Sequence, residues 1–231
     1  MREIVLDTET TGFEPEEGHR LVEIGCVEVI NKVPTGKIYH QYINPERDMP
    51  TEAFNVHGLS EEFLSDFPLF TEVVKDFNEF VGEDKLVIHN AEFDMKFLNA
   101  ELTLAGFKPL LMERAIDTLL IARERYPGSP ANLDALCRRF GIDNSDRTYH
   151  GALLDAELLS EVYLELSGGR QRGLDLGADG TGGLINTAIA PSEIKRQDRP
   201  KRTFSPSEEE LKAHKELLKK LDSPLWLKDS A

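Results

Sequence analysis

The stretch "VLDTETTG", residues 5–12, decides how this chain is read. An apolar run ends on Asp7, and Glu9 follows two positions later. Residues two apart on a strand leave the same face, so the segment sends out two carboxylates side by side. Acids held that close repel, and one takes up a proton unless a cation intervenes. The stretch therefore predicts a buried strand ending in either a solvated acid pair or half of a metal site.

The companions of the pair decide between these. Asp94 in "HNAEFDMKF" (89–97) falls in the first turns of an expected helix that begins where a strand ends. Open α/β sheets place ligands there, although a first-turn acid also serves the dipole of its own helix. Asp155 in "HGALLDAELL" (150–159) sits beside Leu153, Leu154 and Leu158. An acid on the packing face of a helix is costly unless paired or metal-bound. His150 stands five residues earlier, where it can swing over the same site. Four carboxylates and a histidine with no cysteine ligand suit Mg²⁺ or Mn²⁺ and not structural zinc. Two such ions, roughly 3.5–4 Å apart, clamp the attacking and leaving oxygens of a phosphodiester. A histidine, titrating near neutrality, takes the proton from the attacking water. The implied chemistry is phosphodiester hydrolysis.

Composition bounds the rest. The 231 residues are 40% hydrophobic and 30% charged, as in an ordinary soluble protein with one sizeable core and an appendage. No apolar run approaches the roughly 20 residues that span a bilayer, and "MREIVLD" lacks the regions of a secretory signal. Cys26 and Cys137 make neither a disulfide framework nor a zinc site, so a cytoplasmic protein is expected. The formal charge of −15 is unevenly spread: residues 1–167 hold 15 basic and 32 acidic residues, residues 168–231 hold 12 and 10.

Residues 1–167 read as one α/β domain. Strands are expected at "EIVLD" (3–7), 21–30 and 36–43, the last two joined at Pro34-Thr35-Gly36. Residues 60–81, interrupted by Pro68, predict two short helices, and 84–90 a further strand. A helix over 91–106 is expected between an Asn90 cap and a Gly106 stop, then a short strand and helix within 114–126. Two helices, at 132–141 and 152–169, close the domain. The order predicts a mixed sheet flanked by helices. Residues 168–202 contain seven glycines and the basic cluster "KRQDRPKR", a linker composition. Residues 203–231 predict a short amphipathic helix capped by Ser205 or Ser207, with three acids in its first turn.

"DTETTG", "HNAEFD" and "HGALLDA", in this order, resemble the three motifs of the DEDDh 3′–5′ exonucleases, which have a ribonuclease-H-like fold. The resemblance covers about residues 3–167. It implies that Asp7, Glu9 and Asp155 ligate the tighter of two divalent ions, that Asp7 bridges to the second, and that Asp94 supports it through water. It makes His150 the general base. Asp7, Glu9, Thr10, His57 (in "VHGL", 56–59) and Asp155 are the implied substrate contacts. His89 reads as a structural residue at a strand end. The tyrosine variant of the family carries Tyr four residues before the final acid; that position here is Gly151, while His150 stands five before, and Tyr149 reads as a packing residue.

The tail resembles that of the proofreading subunits of bacterial DNA polymerase III. "QRGLDL" (171–176) is similar to a sliding-clamp-binding peptide, with Gln171 as anchor and Leu174 and Leu176 filling an apolar pocket. The last segment, with Trp226 in "SPLWL", resembles a polymerase-binding tail, implying contacts from Leu217, Leu218, Leu221 and Trp226 to the α subunit. The implied partners are the frayed or single-stranded 3′ end of DNA, the polymerase α subunit and the β clamp. About 35 linker residues give an rms reach of roughly 30–35 Å, and such a tether raises local concentration towards the millimolar range. Two other readings share part of the pattern: a stand-alone RNA-processing exonuclease of the ribonuclease T or oligoribonuclease type, and a non-catalytic scaffold bridging clamp and polymerase.

Overall fold

The computed structural model describes residues 1–145, 147, 149–169 and 206–220. Gln171, Leu174, Leu176, Leu221 and Trp226 lie outside the described residues.

Five strands form one mixed sheet: β1 (Arg2–Thr10), β2 (Leu21–Ile30), β3 (Val33–Tyr42), β4 (Lys85–Ile88) and β5 (Ala115–Asp117), in the order β3-β2-β1-β4-β5. β1 pairs antiparallel with β2 and parallel with β4, so it is the strand at which direction changes. β4 and β5 are also parallel. The C-terminal ends of β1, β4 and β5 therefore share one rim of the sheet.

Alternation along the strands splits the core in two. Ile4, Leu6, Ile24, Leu86 and Ile88 face the helices α3 (Phe70–Val81) and α4 (Ala91–Leu104), meeting Phe70, Phe77, Phe97 and Leu98. Val5, Val27, Val29 and Val87 face the opposite layer, built from α5 (Thr118–Arg125), α6 (Leu133–Phe140) and α7 (Ala152–Leu166), where Leu136, Leu159 and Val162 are buried. The mixed sheet with helices on both faces is the architecture expected from the order of elements.

Several details differ from the sequence expectation. β1 runs past residue 7 through Thr10, so both acids lie on the strand itself. The β2–β3 turn is Asn31-Lys32, both with positive φ, and not Pro34-Thr35-Gly36. Pro34 instead pairs with Val29 inside β3, an edge strand, where a missing N–H is tolerated. A short helix, α1 (Thr51–His57), follows Pro50 and has no counterpart among the expected elements. Pro68 does separate two helices, α2 (Glu61–Leu64) and α3. Asn90 precedes α4 in the left-handed region (φ 70°) and gives no side-chain cap. The backbone N–H groups of Asn90 and Ala91 instead donate to the carboxylate of Asp117, at 3.2 and 3.1 Å.

Residues 206–220 are described by themselves. They form α8 (Glu208–Leu218), capped by Ser207, whose hydroxyl accepts from the Glu210 N–H while the Glu210 carboxylate accepts from the Ser207 N–H. Leu217 is exposed and Leu218 partly so.

Candidate active site

The rim where β1, β4 and β5 end gathers the acids. Asp7 and Glu9 leave β1 on the face covered by α7. Opposite Asp7 on β2 stands Gly25. A Cβ there would lie 2.3 Å from the Ala152 carbonyl carbon and the Leu153 nitrogen. Only glycine lets the first turn of α7 settle onto the sheet at this point, and that turn carries Asp155. Nothing in the spacing of "EIGCV" distinguishes Gly25 from a strand-weakening glycine, and the sequence reading missed it.

Asp155 and Asp94 are both 3% exposed, and Glu9 is 8% exposed. Glu9, His150 and Asp155 offer ligand atoms that all lie within 4.8 Å of one another. Asp94 enters from the first turn of α4 on the other layer, where the Thr8 hydroxyl donates to its Oδ1 at 2.7 Å. Asp7 lies close enough to Asp94, Glu9 and Asp155 for their charges to raise its pKa. The four acids and the histidine, distant in sequence, thus meet at one place.

The electrostatics are those of an under-compensated cluster. Burial, reinforced by the neighbouring acids, holds Asp7 well above the usual carboxylate range. Burial and the charges of Asp155 and Glu23 push Glu9 up to about 9. Burial raises Asp94 to about 7 despite the hydrogen bond from Thr8. Asp155 alone goes down: burial opposes its charge, but hydrogen bonds from His150 and Arg147 outweigh that. Three acids pushed towards protonation, beside a fourth carboxylate and one imidazole, form a set that fits hard divalent cations.

Arg147, which the sequence reading did not single out, shares in the exception with His150. Its Nε and Nη2 each donate to Asp155 at 2.6 Å, and Nη1 donates to Asp134 at 2.8 Å. Nη2 also approaches His150 Nδ1 at 2.8 Å. The only sequence signal was its place in "DRTYH", three residues before the histidine. His150 itself is exposed, with Nδ1 3.4 Å from Asp155 Oδ2, and its backbone N–H donates to the Val56 carbonyl, tying its loop to α1.

Beside Glu9 opens a cavity of about 530 Å³, lined mainly by apolar groups that include Phe13, Val56 and Phe93, with Thr10 and His57 among its walls. His57 is buried; its Nδ1 accepts from the Leu59 N–H at 3.0 Å, while Nε2 has no partner among the described residues. Burial lowers its pKa. Tyr149 lies against Gly58, where a Cβ would be 3.3 Å from its ring. His89 bonds Thr118 Oγ1 through Nδ1 at 2.9 Å, in keeping with a structural role.

Comparison with known proteins agrees with this geometry. Residues 4–163 match the family model described as Exonuclease. The DNA polymerase III subunit epsilon of Rickettsia felis is 52% identical over 222 residues, covering 94% of this chain and 96% of the relative. That of Escherichia coli strain K12 is 43% identical over 236 residues, covering 97% of each. Among solved structures, exonuclease X in complex with 5′ overhanging duplex DNA aligns with a TM-score of 0.58 at 24% identity, over 72% of this chain and 91% of that one. Exonuclease I aligns with a TM-score of 0.64 at 16% identity, over 72% of this chain and 40% of that one. These two share the fold. By the family match and the near-full-length relatives, the chain belongs to the exonuclease family, as a 3′–5′ exonuclease of the DNA polymerase III epsilon branch.

Proposed function

We propose that this chain is the proofreading subunit of a bacterial replicative polymerase, acting in the cytoplasm to remove mispaired nucleotides from the primer 3′ end. The observation that carries the proposal is the meeting of Glu9, His150 and Asp155 within 4.8 Å, in a chain matched by epsilon subunits over nearly its whole length. Exonucleases of this family depend on divalent metal ions. Asp7, Glu9 and Asp155 would hold one Mg²⁺ or Mn²⁺, and Asp7 with Asp94 the second. Bound there, the ions supply positive charge that lowers the pKa of water and stabilises the departing oxygen.

The chain's own residues do the rest. The cavity walled by Thr10, Phe13, His57 and Phe93 receives the terminal nucleoside, its apolar faces meeting the base. His57 Nε2, buried and without a hydrogen-bond partner among the described residues, is the donor or acceptor available to that nucleotide. His150 turns Nδ1 inward to Arg147 and Asp155, so Nε2 is the nitrogen left to take a proton from water. A guanidinium can only donate, so its contact at Nδ1 and a hydrogen bond from Nδ1 to Asp155 are alternatives for a neutral imidazole. His150 therefore becomes a base at Nε2 only when Arg147 releases Nδ1 and the hydrogen sits there, facing Asp155. The carboxylate then stabilises the imidazolium that proton transfer creates.

Selectivity for errors follows from access. A domain with 32 acids against 15 bases does not hold duplex DNA by neutralising phosphates over its whole surface. It needs a frayed 3′ end presented by the polymerase, and fraying is easiest at a mispair. The contacts to the α subunit (Leu217, Leu218, Leu221, Trp226) and to the β clamp (Gln171, Leu174, Leu176) supply that tether. Release of nucleotides from a 3′-labelled strand with Mg²⁺ or Mn²⁺ tests the activity. Faster release from mismatched than matched termini is expected, with little base preference on single strands. Strong base specificity on single strands would refute the access argument, and failure of the full chain to co-purify with a polymerase α subunit would refute the assignment to the replicase.

A further inference from the structure

The acidity of the domain has one local reversal. Residues 118–140, which span α5 and α6, hold four of the 15 basic residues before residue 168 (Arg123, Arg125, Arg138, Arg139) and only two of the 32 acids. Arg125 donates to the Leu166 carbonyl, and Arg139 lies over the Tyr126 ring at 4.2 Å. Arg123 and Arg138 are exposed and have neither an ion-pair nor a hydrogen-bond partner among the described residues. Elsewhere in the domain Arg2, Arg20, Lys37, Lys96 and Arg147 pair with carboxylates, and Arg47, Lys85 and Arg114 donate to backbone carbonyls. Lys75 and Lys108 are also exposed without a partner among the described residues, but neither stands beside a second arginine as Arg138 does.

Arg123 and Arg138 both line depressions of the surface. Arg123 lines a cavity of about 490 Å³ with His89, Asn90, Ser129 and Asn132. A second, open depression is lined by Pro130, Ala135, Arg138 and Arg139. His89 and Asn90 link the end of β4 to α4, whose first turn carries Asp94 and also Phe93, a wall of the nucleoside cavity. His89 also lies close enough to Arg147, the partner of Asp155, to feel its charge. The nucleoside cavity, the carboxylates and the Arg123 cavity thus follow one another along the rim of the sheet.

Resting on the exonuclease reading, we propose that the groove between the β4–α4 turn and the α5–α6 loop binds the substrate strand on the 5′ side of the cleaved bond. Arg123 meets the first phosphodiester beyond it, and Arg138 with Arg139 meets phosphates further along. Asn90, Ser129 and Asn132 add hydrogen-bonding groups that fix the backbone without reading bases. The ligand is a single-stranded nucleic-acid backbone of at least about three nucleotides.

The test compares the full chain with Arg123→Gln and with Arg123→Gln/Arg138→Gln on two substrates. One is an eight-residue oligothymidylate; the other is the nitrophenyl ester of thymidine 5′-monophosphate, which has nothing on the 5′ side. The kcat/KM for the octamer relative to the ester should fall about five-fold for the single variant and further for the double, through KM, with Arg123→Lys restoring part of it. The slope of log affinity against log salt, read by anisotropy of labelled octamer in chelator, should shrink by about 0.7 for each charge removed. An unchanged octamer-to-ester ratio, or an unchanged salt slope, overturns the groove. If the wild-type chain hydrolyses neither substrate, the nuclease reading fails while the anisotropy series still decides whether the groove binds the strand.

Discussion

Among the described residues, two arginine forks grip a buried carboxylate, and they behave differently. Arg20 donates to Glu101 through Nε at 2.6 Å and Nη2 at 2.9 Å, and Arg147 donates to Asp155 through the same two nitrogens at 2.6 Å each. Both acids are 3% exposed and both project from a helix packed on the sheet. Around Glu101 the pairing is complete: its Oε1 also accepts from the Leu21 N–H. Around Asp155 one guanidinium faces several acids, and Asp7 and Glu9 remain pushed towards protonation. A fork that settles its charge is architecture. A fork that leaves a surplus of negative charge marks a place prepared for something cationic.

Four experiments break or sharpen that contrast. Asp155→Asn should lower nucleotide release about 10³-fold, as several kcal/mol of charge stabilisation disappear, while Glu101→Gln protein that remains folded should keep its kcat. Equal losses in a steady-state assay would erase the distinction. Gly25→Ala comes next: the new methyl must push the start of α7 off the sheet, and a displacement near 1 Å costs about 10²-fold in rate. Full activity in that variant would mean that α7 is not held by the close approach.

Stability gives the reverse ordering. Glu101→Gln leaves the Arg20 charge without its carboxylate and should cost about 3 kcal/mol, lowering Tm by about 10 °C; a calorimetric change under 2 °C would show the fork to be idle. The smallest effect concerns pH. Glu9 is raised from 4.5 to about 9 in the folded chain. A raised carboxyl contributes stability that is complete below pH 4.5 and is lost as pH rises towards 9. Water entering the metal-free site removes most of that penalty, so the protein should lose about 5 °C of Tm across the window, and millimolar Mn²⁺ should return it. A Tm that rises over the same interval without metal would contradict the cluster's surplus charge.

The contrast was only partly visible in the sequence. Asp155 announced itself because an acid among leucines is physically awkward, and Asp7 with Glu9 because alternation puts both on one face. Arg147 and Gly25 did not, since their roles exist only through partners far along the chain. In the fold, periodicity and stop signals located all five strands and most helices. The β2–β3 turn misled because Pro34-Thr35-Gly36 carries stronger turn chemistry than Asn31-Lys32, yet the chain turned at the pair that takes positive φ and absorbed the proline at an edge. α1 is short, and its Val56 carbonyl accepts from the His150 N–H, a partner far along the chain. Asn90 looked like a cap, but the carboxylate that satisfies the α4 amides comes from Asp117.

Asp117 has a wider consequence. Its Oδ1 also accepts from the Leu119 N–H at 2.8 Å, so the side chain that opens α5 fastens the entrance of α4 as well. The helix bearing Arg123 and the helix bearing Asp94 are thereby moored to a single post. A strand pulling on one is felt by the other, and exchanging that post for an asparagine would slacken grip and cutting edge together.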